Sequence, residues 1–149
     1  MEILSASFPI SQPSQVRVRL YEHNVPAGFP SPAADFTERT LDLNEFIVKH
    51  PASTFFVTVS GDSMQNAGIY DRDVIVVDKS LKAVHGNIVL ALVHGEFTVK
   101  RLHYIGKRVF LRPENERYQP LEIVPDMGFE VWGVVVHVLH KLYGHDRAN

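Results

Sequence analysis

The sequence predicts a mostly β chain: a folded or closed sheet with one short helix and an extended N-terminal arm. Three observations carry this. From residue 54 onward, six short runs rich in valine, isoleucine, threonine and phenylalanine follow one another between turn residues. Only one stretch shows helical spacing. Pro9, Pro13, Pro26, Pro30 and Pro32 interrupt the first part of the chain, and each removes a backbone donor and restricts its predecessor, which blocks long helices.

Taken in order, residues 1–34 read as the arm. Within it Val16, Val18 and Leu20 alternate with Arg17, Arg19 and Tyr21, the period of a strand that pairs at an edge. Over 42–50 the apolar Leu43, Phe46 and Ile47 recur at helical spacing and Pro51 stops the pattern, which predicts one short helix capping the core. Strands are predicted at 54–59, 74–77, 87–93, 96–102, 109–111 and 129–139. His94-Gly95 joins the third to the fourth over a connection short enough for a hairpin. The tail beyond Val138 is polar enough to fray.

The totals fit one domain. At 149 residues and 45% hydrophobic composition the chain buries a core and still carries an appendage. Fifteen basic against seventeen acidic side chains give a net charge of −2, which argues against direct, sequence-specific DNA binding through a broad grip on phosphates. The absence of cysteine removes disulfides, thiolate catalysis and thiolate zinc sites. Met1 to Ser14 lacks a signal-peptide pattern, and no stretch reaches the roughly 18 apolar residues of a membrane span. A soluble, cytoplasmic protein is expected.

Two segments carry chemistry. Gly61-Asp62-Ser63-Met64 follows a predicted strand and precedes Gly68, so Ser63 is expected at a strand-to-turn junction that exposes its hydroxyl. Gly61 permits close backbone approach, and N–H groups of a following turn can stabilise an oxyanion, with that of Ser63 the main candidate. In 96–102 Thr98, Lys100 and Leu102 share one face of a strand. If that face packs inward, the Lys100 ammonium loses water without a carboxylate, its pKa falls, and a neutral amine serves as general base for the serine. Each segment also has a plain structural reading: Gly-Asp-Ser is a turn in which Ser63 or Asp62 caps a helix, and a strand lysine usually points to water.

The competitors are weaker. Of eight histidines, at 23, 50, 85, 94, 103, 137, 140 and 145, most fall in turns or near the C-terminal end. His137, His140 and His145 match no ligand spacing, and no metal or cofactor is expected. Asp71 and Asp73 read as turn residues before a strand rather than as an acid–base pair. Trp132 among valines reads as core packing.

Three landmarks, Val25-Pro26-Ala27-Gly28-Phe29-Pro30-Ser31-Pro32, Ser60-Gly61-Asp62-Ser63-Met64 and Gly95-Glu96-Phe97-Thr98-Val99-Lys100-Arg101-Leu102, occur in the order and spacing of a known group. The chain resembles the self-processing serine peptidases of the LexA and UmuD family, and within it the short mutagenesis proteins of the bacterial SOS response. The resemblance implies a LexA-like or signal-peptidase-like β domain with Ser63 as nucleophile, Lys100 as base and the Ala27–Gly28 bond as substrate. Residues 1–27 would then be an arm removed by self-cleavage, and 28–149 a peptidase and dimerisation domain.

It further implies a homodimer, cleavage stimulated by RecA filaments on single-stranded DNA, and a processed form acting with a UmuC-type translesion polymerase. Only 27 residues precede the cut, too few and too proline-broken for a helix-turn-helix. Asn87, where the family often has an acidic residue, and the tail from Leu139 to Asn149 depart from the pattern. Two alternatives stay open: a non-enzymatic, polymerase-binding dimer, and a Ser-Lys protease acting on other proteins.

Overall fold

The computed structural model describes residues 1–7, 15, 17–21, 27–28 and 38–144. The chain divides into two compact units, Met1–Pro9 with His50–Asn149, and Ile10–Lys49.

In the smaller unit β2 (Arg17–Tyr21) pairs antiparallel with β3 (Glu38–Asp42), so the alternation does mark a strand over 17–21, Val16 lying outside the described residues. The predicted helix is a single turn, α1 (Leu43–Ile47), whose N-cap Asp42 accepts from the Asn44 N–H at 2.9 Å. It ends three residues earlier than the spacing predicts, where the Val48 N–H closes onto the Asn44 carbonyl. None of its residues is buried, and Leu43 and Phe46 are exposed.

The larger unit is an eight-stranded sheet in which every pairing is antiparallel. Its strands are β1 (Glu2–Ser7), β4 (Thr54–Ser60), β5 (Val74–Asp78), β6 (Ile88–Val93), β7 (Glu96–Ile105), β8 (Arg108–Arg112), β9 (Leu121–Ile123) and β10 (Glu130–Leu139), in the spatial order β1-β4-β5-β10-β6-β7-β8-β9. All six predicted strands are present. The additions are β1, drawn from the expected arm onto the edge of β4, and the three-residue β9.

Alternation along these strands builds two clusters. Phe55, Val57 and Val59 of β4, Ile75 and Val77 of β5, Leu90 of β6 and Val99 of β7 pack with Met64 and Ile69. Val89, Ala91 and Val93 point the other way and meet Leu102, Leu111 and Met127, so both faces of β6 and β7 are covered. Trp132 packs against the first cluster with its ring edge-on to Phe97 at 4.7 Å and the Lys79 ammonium over its face.

The sheet curls. The registers of β10 with β6 and with β5 slip between Val131 and Gly133 and between Val135 and His137, and such bulges bend a strand and increase its twist. A Cβ on Gly133 would lie 2.6 Å from Val77 Cγ1 and 3.0 Å from the Asp78 carbonyl, so only glycine permits this approach of β10 to β5. Curling brings β1 against β7. In a flat sheet four inter-strand spacings would hold β4 and β7 about 19 Å apart.

Candidate active site

Ser63 lies just past the end of β4, in a turn followed by one 3-10 turn, Gln65–Ala67. This is the predicted junction. Gly61 adopts φ of 88°, a left-handed conformation that glycine supplies without strain. Its N–H donates to Asp71 Oδ1 at 2.7 Å. Asp73 instead accepts from the Tyr70 N–H at 2.8 Å and meets His140 Nδ1. Asp71 and Asp73 therefore hold turns, as their sequence context implied, and His140 is pinned rather than frayed.

Lys100, in the middle of β7, is half-buried on the face it shares with Thr98 and Leu102. Its Nζ lies 3.3 Å from Ser63 Oγ, 2.7 Å from Thr98 Oγ1 and 3.0 Å from the Val99 carbonyl oxygen. None of these partners is a carboxylate. Burial disfavours the ammonium and lowers the Lys100 pKa, although a hydrogen bond with the chain's α-amino group works the other way. Thr98 orients the amine, a contribution that period-2 spacing alone places on the correct face.

The expectation of an exposed hydroxyl is corrected by the structure: Ser63 is only 2% exposed. The cause is β1, whose pairing with β4 carries Met1 over the serine, where the Met1 amine donates to Ser63 Oγ at 3.0 Å. Burial, and then the neighbouring Lys100, push this amine down to about 5. Two amines thus crowd one hydroxyl, and a charge on either disfavours a charge on the other. Beside them a cavity of about 300 Å³ runs past Met1, Phe97, Thr98, Lys100 and Leu111.

Among the described residues no backbone carbonyl outside the strands is shown accepting from the Ser63 N–H. The carbonyls on either side of it are occupied. Asn115 Nδ2 donates to the Asp62 carbonyl at 2.9 Å, and the Glu114 N–H to the Ser63 carbonyl at 2.8 Å. Tyr118 and Arg117 hold the Asp62 carboxylate. No local signal in the sequence marks residues 114–118, because their partners lie some fifty residues away.

Ala27 and Gly28 are exposed and form a bend in the smaller unit. His137 and His140 flank the end of β10, His145 lies outside the described residues, and no group of three or more potential metal ligands occurs among the described residues. No helix among them is long and apolar enough to cross a membrane.

Residues 19–136 match the model of the family described as Peptidase S24-like. Among curated proteins the chain is 47% identical to Protein MucA of Salmonella typhimurium over 123 residues, 82% of this chain and 84% of that protein. It is 45% identical to Protein SamA of Salmonella typhimurium strain LT2 over 138 residues, covering 93% and 96%. Against the LexA repressor of Shewanella halifaxensis identity is 37% over 118 residues, 78% of this chain and 57% of that one.

Proposed function

The chain belongs to the Peptidase S24-like family, and from that premise we propose that it is a serine endopeptidase that cuts its own Ala27–Gly28 bond. Ser63 is the nucleophile and Lys100 the general base. The observation that carries this reading is the 3.3 Å contact between a half-buried lysine amine with a lowered pKa and a serine hydroxyl. A serine hydroxyl is a poor nucleophile until a base takes its proton, and a desolvated lysine is such a base.

In the proposed reaction neutral Lys100 takes the Ser63 proton while Oγ bonds to the Ala27 carbonyl carbon. The oxyanion forms opposite the Ser63 N–H. Collapse breaks the bond to Gly28, Lys100 returns the proton to the departing Gly28 amine, and an acyl-enzyme on Ala27 is left. Water, deprotonated by Lys100, then releases the Ala27 carboxylate and restores Ser63.

Met1 covers Ser63 in the resting arrangement, so cutting waits on a conformer in which β1 has withdrawn and the Ala27–Gly28 segment has entered. A small population of that conformer slows the reaction in proportion. A RecA filament on single-stranded DNA is proposed to favour it. The processed form, residues 28–149, is proposed to act as a homodimer with a UmuC-type polymerase in SOS mutagenesis, in the cytoplasm.

Mass analysis of the purified chain after incubation with RecA, nucleotide and single-stranded DNA tests the proposal. The expected product begins at Gly28. An intact chain, or a cut that survives Ser63→Ala, rejects it.

A further inference from the structure

We propose that Asn115 is a positioning residue for the self-cleavage argued above, acting with Glu114 and Arg101 as a clamp that sets the distance between Ser63 and Lys100. The inference rests on that reading of the two catalytic groups. Its own basis is a set of contacts that reaches both of them.

On the serine side, two consecutive residues grip two consecutive carbonyls. The Glu114 N–H donates to the Ser63 carbonyl at 2.8 Å and Asn115 Nδ2 to the Asp62 carbonyl at 2.9 Å. The Glu114 carbonyl accepts in turn from the Asn66 N–H at 2.9 Å, just beyond the nucleophile. Asn115 is itself fixed, being 6% exposed with its Oδ1 accepting from the Arg117 N–H at 3.0 Å.

On the lysine side, the Glu114 carboxylate pairs with the Arg101 guanidinium, whose Nη1 also donates to the Gly86 carbonyl at 2.6 Å. Arg101 adjoins Lys100 on β7. A short path therefore runs from Ser63 through Glu114 and Arg101 to Lys100. No strand pairing supplies such a link, since β4 and β7 are not neighbours in the sheet. Reacting groups must be held to about half an ångström, and side chains on separate, curled strands need a brace of this kind.

The distinguishing variant is Asn115→Ala in the full chain, with cutting in the absence of RecA followed as a function of pH and hydrogen exchange measured at residues 61–66. The clamp predicts a plateau rate per folded molecule lowered about tenfold to a hundredfold. It predicts an unchanged pH of inflection, because Lys100's own partners are untouched, and faster exchange at 61–66 with β6 and β7 still protected. An unchanged plateau rate, unchanged exchange, or a shift of the inflection alone overturns it. Should Asn115→Ala not fold, Glu114→Gln, which keeps the backbone contacts to Ser63 and Asn66 and weakens the tie to Arg101, is read for the plateau rate, a fall supporting the clamp and an unchanged rate overturning it. Failure of the unaltered chain to cut at all would reject the self-cleavage reading instead, with the exchange comparison still deciding whether Asn115 holds the turn.

Discussion

Lys100 Nζ and Ser63 Oγ lie 3.3 Å apart although 37 residues separate them in sequence and their strands stand four places apart in the sheet. Curling of the sheet makes the meeting possible, and what surrounds the pair decides its chemistry. Thr98 and the Val99 carbonyl aim the amine, no carboxylate among its partners stabilises its charge, and burial lowers its pKa.

Removing either group should stop the reaction without harming the fold. Ser63→Ala and Lys100→Ala are each expected to slow cutting about 10⁴-fold or more, the scale of loss when one member of a catalytic unit is deleted. Lys100→Met should in addition raise stability by about 1 kcal/mol at neutral pH, because it replaces a poorly solvated amine with an apolar chain. Fragment yield on gels and thermal melts of the same samples check both.

Covering of Ser63 by β1 predicts a response to mutation far from the chemistry. Ile3 pairs with Val59 and packs on the core, and proline there removes the packed side chain, fixes φ and restricts Glu2. Ile3→Pro should loosen β1 and raise the rate at which a small fluorophosphonate labels Ser63 several-fold. Equal labelling of the two proteins would show that β1 does not limit access.

Asp78 predicts the acid limb of stability. Burial pulls its carboxyl up, but hydrogen bonds from Ser80 and His50 outweigh it and hold the folded pKa below the ordinary 3.8. A depressed carboxylate contributes stability above its unfolded value and loses it as pH falls through the folded one. Asp78→Ala should therefore cost about 2 kcal/mol at pH 7, and the gap should narrow below pH 3.8. Denaturant melts at pH 7 and pH 3 measure it.

Strand alternation and turn residues made most of the sheet legible, along with the hairpin that returns Lys100 and the turn that carries Ser63. The short β3 and β9 were not legible, nor were two features that bear on the site, for related reasons. Residues 2–7 carry no alternation that separates a strand from an arm, and they become one by pairing with the β4 edge. Asn115 and Glu114 act on carbonyls at 62 and 63, contacts set by the curl of the sheet and written in no local pattern. Helical spacing at 42–50 overstated α1, which closes after one turn with the Val48 N–H on the Asn44 carbonyl.

The central claim is that one uncharged lysine amine activates one serine hydroxyl, and titrating both sides of it tests the claim most directly. Lys100 is followed by carbon-13 NMR of labelled lysine, assigned by Lys100→Arg, while RecA-independent cutting at Ala27–Gly28 is timed over the same pH series. With its pKa lowered, Lys100 should titrate below the ordinary 10.5, and the rate should rise with pH, level off at that same inflection and stay flat above it. A Lys100 that titrates as a free lysine does, or a cutting rate indifferent to its titration, would contradict the account.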